Sequence, residues 1–134
     1  GPRARPAAEL GAAMSLRVLV CGGRDFNDVM TLGSWLGGIH KGHGISLLIE
    51  GGARGADRMA RLFAEWKKIP VKTYEADWGK SGKVAGPIRN QQMLDEGKPD
   101  LVVAFEGGNG TADMVRRARA AGVRVLDAYK IVVQ

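Results

Sequence analysis

The chain is poor in the residues that cross-link small domains or hold metals in them. It carries one cysteine and two histidines in 134 residues. The lone thiol, Cys21, excludes an internal disulfide. Its place in the apolar run LRVLVC reads as a small buried core residue in a reducing compartment. A catalytic thiol needs a base beside it, and His40 and His43 lie far off in sequence. Their i, i+3 spacing in HKGHG has no third ligand nearby, so the segment reads as a solvent-exposed loop and no metal is expected. No apolar run approaches the roughly 18 residues of a membrane span. The first stretch, GPRARPAAELGAA (residues 1–13), lacks the apolar core of a secretory signal. It reads as vector-derived residues or a flexible N-terminal segment ahead of Met14, with residues 14–134 forming one cytoplasmic domain that has no membrane partner. Repeats and low-complexity tracts are also missing, as are a Walker A loop and a GxGxxG fingerprint.

What is present suits a globular protein. Hydrophobic residues make up 45% and charged residues 25%, close to the soluble average. A chain of this length buries roughly two-thirds of its unfolded surface, enough for one core. The net charge is +6, of which Arg3 and Arg5 against Glu9 supply +1 and the remainder +5. That balance suits an anionic ligand and is equally ordinary for a soluble domain with no nucleic-acid role. Twenty glycines cluster in turns without a period.

Five short apolar runs stand out: residues 16–21, 45–50, 70–76, 100–105 and 123–128. The first, second and fourth are nearly continuous, as in parallel strands covered on both faces. Helical spacing fills the gaps. Val29, Leu32, Leu36 and Ile39 follow Asp28, a candidate N-cap, and Met59, Leu62, Phe63 and Trp66 form a second stripe; both stripes are expected to face the core. Pro87 marks a first helical position, with a stop at Gly97 and Pro99. The last helix is expected from Thr111 to Gly122, with Met114, Val115 and Ala118 inward. Strict alternation predicts an α/β three-layer, Rossmann-like domain with a parallel sheet of strand order 3-2-1-4-5.

Three strands run straight into glycine turns: CGGRDF, EGGARGAD and FEGGNGT. A fourth enters the loop DWGKSGKVAGPIRN. Open α/β sheets bind ligands at the carboxyl rim where strand order reverses, so the first and last of these turns flank one predicted crevice. Glycines admit backbone N–H groups close to a phosphate, and a helix N-terminus adds free donors and positive potential. The candidate ligand-binding residues are therefore Gly22, Gly23, Arg24 and Asp25; Gly51, Gly52, Arg54 and Gly55; and Gly107, Gly108, Asn109, Gly110 and Thr111. Arg24, Arg54 and Arg89 are candidate phosphate clamps, although a local pair with Asp25 or Asp57 would equally account for Arg24 or Arg54. Trp78, in a polar loop, is the candidate stacking ring, with packing on its own domain as the alternative. Thr111 is placed to cap the last helix or bond a phosphate oxygen.

The stretches RVLVCGGRDF, IEGGARGADRMA, ADWGKSGKVAGPIRNQQML and GGNGTADMVRRARAAG together resemble the YspA-type branch of the SLOG superfamily, which also holds the SMF/DprA and lonely-guy proteins. The resemblance spans about residues 16 to 128. It implies a Rossmann-like domain that binds nucleotides or nucleotide-derived ligands, of a kind found in bacteria and phages, some of whose members look like sensors of NAD- or ADP-ribose-related molecules. It also implies dimers or higher homo-oligomers. Lonely-guy enzymes hydrolyse the N-glycosidic bond of nucleoside 5′-monophosphates through a PGGxGTxxE turn and an RKxxM helix. Here the turn keeps its glycines and Thr111, but Met114 stands at the catalytic glutamate position and Glu106 replaces the proline. Asp113 is one residue early, about 100° round a helix, and is expected to point elsewhere. The helix signature reads Arg89-Asn90-Gln91-Gln92-Met93, which makes Arg89 and Asn90 candidate site residues.

Three readings follow. The first is binding or sensing of a nucleotide-derived ligand, a nucleoside phosphate or an NAD- or ADP-ribose-like molecule, with no further cofactor. The second is a nucleotide-processing hydrolase with a different acid among Asp25, Asp57, Asp77 and Asp113, with Arg89 and Asp113 as the weaker catalytic candidates of the family signature. The third is single-stranded DNA binding through Arg116, Arg117, Arg119 and Arg124, a cluster that reads first as a solvated helix face.

Overall fold

The nearly continuous runs of Val, Leu and Ile become inner strands covered on both faces, and the other two runs become partly exposed edge strands. The computed structural model describes residues 15–128, so the proposed N-terminal segment lies outside the described residues. The strands are β1 (Leu16–Cys21), β2 (Ile45–Glu50), β3 (Val71–Thr73), β4 (Leu101–Ala104) and β5 (Arg124–Asp127). All neighbours pair in parallel, in the order β3-β2-β1-β4-β5, so the expected Rossmann-like α/β topology stands. The helices are α1 (Val29–His43), α2 (Ala56–Lys67), α3 (Trp78–Ser81), α4 (Ala85–Gly97) and α5 (Asn109–Ala120). Strand side chains alternate between two cores. Val18, Val20 and Val103 meet α1 and α2 on one face. Leu19, Cys21 and Val102 meet Met93 and Leu94 of α4 and Met114 and Ala118 of α5 on the other.

Asp28 caps α1 as expected. Its carboxylate accepts the Thr31 amide at 3.1 Å and the Thr31 hydroxyl at 2.7 Å. Asp28→Ala is expected to lower stability by about 1 kcal/mol, read as a shift in urea midpoint. A midpoint equal to wild type would show that the cap contributes nothing.

Several local expectations are corrected. His40 and His43 belong to the last turns of α1, not to a loop, and His40 Nδ1 accepts the Ile45 amide at 3.0 Å. Basic side chains suit a helix C-terminus, and the helix stops only at Gly44, whose φ of 81° a glycine adopts freely. On α2 the buried stripe is Ala56, Ala60, Phe63 and Ala64, whereas Leu62 is exposed and Trp66 is 73% exposed. Small alanines let the helix lie close to the sheet and turn the larger side chains outward. Trp66 packs edge-on against Phe63, with the Lys67 ammonium 4.2 Å from its ring centroid. Val29 of α1 is exposed as well.

Pro87 is the third residue of α4, not the first. Any position in the first turn tolerates a missing N–H, because those amides have no intrahelical acceptor. Likewise α5 starts at Asn109, two residues before Thr111, with Gly108 at its N-cap. The segment between β3 and α4 is not one loop: Asp77 caps α3 by accepting the Lys80 amide at 3.0 Å, and a 3-10 turn over Gly82–Val84 follows.

Candidate functional site

The glycine turns after β1, β2 and β4 are stitched together by backbone. The Gly23 amide donates to Glu106 O at 2.8 Å, and the Ala56 amide donates to Gly23 O at 3.1 Å. Contact is close enough that a Cβ on Gly107 would lie 2.6 Å from the Gly23 nitrogen. Between the β1 and β4 turns, at the point where strand order reverses, opens a crevice of about 510 Å³.

Most sequence-predicted residues meet there. Gly22, Gly23 and Arg24 form one lip, and Gly108, Asn109, Gly110 and Thr111 the other. Trp78, Arg89 and Asn90 line the crevice too, with Asn90 Nδ2 donating to Gly110 O of α5 at 3.2 Å. Among the described residues no side chain caps α5, so its first turn meets the crevice with the free amides of a helix N-terminus. Thr111 does not cap the helix; its hydroxyl lies against Gly107. The remaining predicted residues sit elsewhere. Gly51, Gly52 and Arg54 line an adjoining hollow, and Asp25 and Gly107 line another with Glu106. Glu106 thus lies outside the crevice proper. Gly55 belongs to the stitching between turns rather than to a wall.

The three arginines have different partners. Arg54 is paired with Asp25 at 3.0 Å, both exposed, a bond of little energetic weight. Arg24 lies over the Trp78 ring, 5.4 Å from its centroid, and among the described residues it makes no ion pair with a carboxylate. It borders the crevice and both hollows. Arg89 donates from Nη1 to Gly51 O and from Nε to Asn90 Oδ1 at 3.0 Å. Burial pulls its guanidinium below the usual range and the Arg24 charge adds to this, while the Asp57 and Glu50 charges oppose it. Trp78 is half-buried, its ring against Gly86 at the start of α4.

Three acids at this rim have unlike environments. Asp113 turns into the crevice wall, contrary to expectation, because the one-residue offset aims it at α4. There it takes hydrogen bonds from Asn90 Nδ2 and Arg117 Nε, each at 2.9 Å, and from Arg116 Nη2 at 3.1 Å. Burial alone would raise its pKa, yet the Asn90 and Arg117 bonds and both arginine charges bring it below the ordinary carboxylate value. Glu50 is fully buried and committed to the Thr73 hydroxyl and the Gly52 amide. Asp57, in the first turn of α2, lines the crevice and is 7% exposed. Burial, with help from the Glu50 charge, pushes its carboxyl up to about 6 against the Ala53 and Gly51 amides and the Arg89 charge. Cys21 also touches the crevice, where burial and then the Asp57 and Asp127 charges push its thiol up to about 12, leaving it protonated and unreactive.

Met114 is fully buried in the core, so the position of the lonely-guy glutamate does not reach the crevice. The basic cluster of α5 is largely engaged, with Arg116 and Arg117 on Asp113 and Arg119 on Asp127 at 3.4 Å. Among the described residues, no group of three or more His, Cys, Asp or Glu is placed to hold a metal, and no helix is long and apolar enough to cross a membrane. In the sequence Asp57 stands out only as an alternative acid and as a possible partner of Arg24 or Arg54, and Lys83, which also lines the crevice, does not stand out at all. The loop glycines around Lys83 gave no sign that it folds back.

Comparison with known proteins supports the same frame. Residues 16–80 match the profile of the YspA, cpYpsA-related SLOG family. The chain is also similar to the Gene 61 protein of Mycobacterium phage D29, with 34% identity over 119 residues, covering 83% of this chain and 94% of the phage protein. No solved structure matches it.

Proposed function

The chain belongs to the YspA, cpYpsA-related SLOG family, and from that premise we propose that it binds and senses a nucleotide-derived ligand in the crevice between the β1 and β4 turns. The ligand class is a nucleoside phosphate or an NAD- or ADP-ribose-like molecule. One observation carries the reading: the N-terminus of α5 and the guanidinium of Arg24, which among the described residues have no side-chain cap and no carboxylate partner, line one hollow at the switch point of the sheet. Backbone amides at such a helix end are ready donors to a phosphate. Arg24 supplies charge and a bidentate fork, and Trp78 offers a face for a base. Arg89, anchored to Gly51 O, adds positive charge to the crevice lining.

A thermal-shift panel of nucleoside monophosphates, NAD and ADP-ribose tests this directly. A true ligand raises the melting temperature with concentration, and no shift from any of them at millimolar levels would refute the proposal. Arg24→Ala is expected to weaken the best ligand about 10- to 100-fold, the worth of a charged hydrogen bond. Unchanged affinity would remove Arg24 from the site.

A hydrolytic reading keeps one supporting observation: Asp57 is a crevice acid whose pKa of about 6 suits proton transfer. It requires release of free base or ribose 5-phosphate from a nucleotide, lost in Asp57→Asn. Turnover no faster than the buffer blank ends it.

A further inference from the structure

The buried carboxylates at this rim differ in what their oxygens do. Glu50 accepts from the Thr73 hydroxyl and the Gly52 amide. Asp113 accepts from Asn90, Arg116 and Arg117. Both are served by the chain's own donors. Asp57 is held more loosely, by the Ala53 amide at 3.2 Å and by the Gly51 amide. The cation whose charge acts on it, Arg89, is committed to Gly51 O and Asn90 and makes no ion pair with it. A carboxylate has room for about four hydrogen bonds, so Asp57 meets the crevice with acceptor capacity left over. A buried charge in that condition is costly unless a donor arrives.

In dinucleotide-binding α/β folds an acid following the first glycine turn reads a ribose hydroxyl. In this chain the acid ending β2, Glu50, is turned inward to Thr73, and of the two crevice acids Asp113 is taken up by Asn90, Arg116 and Arg117, which leaves Asp57 at the start of α2. Asp57 lines the same crevice as the first turn of α5, together with Ala53, Cys21 and Arg89. A phosphate at the helix end leaves the rest of a nucleotide inside that crevice, where Asp57 is a lining acceptor.

We propose that Asp57 is the specificity residue of the crevice, accepting a hydrogen bond from a sugar hydroxyl or an exocyclic amino group of the ligand, so that the site selects hydroxyl- or amino-bearing phosphoesters over bare phosphate. The proposal rests on the binding reading above and names what the non-phosphate end of the ligand must carry. Removing a donor from a ligand leaves the protein acceptor buried and unpaired, which is why sites of this kind discriminate strongly.

The test is a mutant cycle run by calorimetry with AMP, 2′-deoxy-AMP, 3′-deoxy-AMP and purine riboside 5′-monophosphate, on wild type and Asp57→Ala, which removes the acceptor. The expected result is that one donor-deleted analogue binds wild type about tenfold or more weakly than AMP, and that this gap closes in Asp57→Ala. All three analogues binding wild type within about twofold of AMP would overturn the inference, and so would a gap that persists in the variant. The wild-type series alone decides the first point, whatever the fate of the variant. AMP that fails to bind wild type also overturns it, and the wider nucleotide panel then judges the binding reading separately.

Discussion

Gly55→Ala is expected to cost about 3–5 kcal/mol and to leave the domain largely unfolded at modest urea concentrations. Gly55 is the N-cap of α2, with φ 78° and ψ −126°, a conformation that side-chain-bearing residues enter at a cost of about 1–3 kcal/mol. Space is a second and independent obstacle. A Cβ there would strike Gly23 O and sit 2.5 Å from Arg24 O. Both obstacles are backbone carbonyls of the neighbouring turn, so no rotamer change relieves them, and forced overpacking adds about 1–3 kcal/mol. Against a total stability of about 5–15 kcal/mol, such a loss is severe. Gly33→Ala is the control: in the middle of α1, with nothing within 4 Å of the added atom, it should gain about 0.5–1 kcal/mol from helix propensity. A Gly55→Ala protein with a urea midpoint near wild type would mean that the three turns are not locked as described.

The second large effect is a pH-dependent one. Burial lifts Asp57 from the ordinary 3.8 to about 6 in the folded state. Below the unfolded value both states hold the proton and the folded protein bears no penalty. As pH climbs from about 3.8 through about 6, the unfolded chain releases the proton first, and stability is lost across that window. A displacement of this size corresponds to about 3 kcal/mol at neutral pH. Asparagine cannot ionise, so Asp57→Asn should match wild type near pH 4 and exceed it in stability by about 2–3 kcal/mol above pH 6. Urea midpoints measured at intervals across that range give the difference curve. If the curve is flat, the Asp57 carboxyl is not desolvated, and its isolation on the crevice wall is lost with it.

Much of this was legible in the chain. Parallel strands covered on both faces leave unbroken apolar runs, as in LRVLVC and DLVVAF, and glycine turns directly after them mark the rim that holds the candidate site. That is why the strand order and the pairing of the Gly23 and Gly108 lips could be anticipated. What failed was phase rather than period. On α2, helical spacing fits both the Leu62–Trp66 stripe and the alanine stripe, and only the approach of the sheet chooses the smaller residues. Asp113 was misdirected because a helical wheel shows angles but not what lies across from them, which here is Asn90 of α4. Asp57 looked like a first-turn acid favoured by the helix dipole. Its seclusion depends on how closely Gly51 lets Arg89 and Asp57 approach: a Cβ on that glycine would fall 3.0 Å from Asp57 Oδ2, a tertiary fact with no local signature.

The amide of Gly23 bonded to Glu106 O has a kinetic corollary. With both lips fastened to one another through main chain, the crevice holds its shape by itself, and the proposed ligand would have little of the protein to freeze on docking. Association should then proceed at a single concentration-dependent rate without a slow isomerisation phase, and guests of different strength should differ in how long they stay.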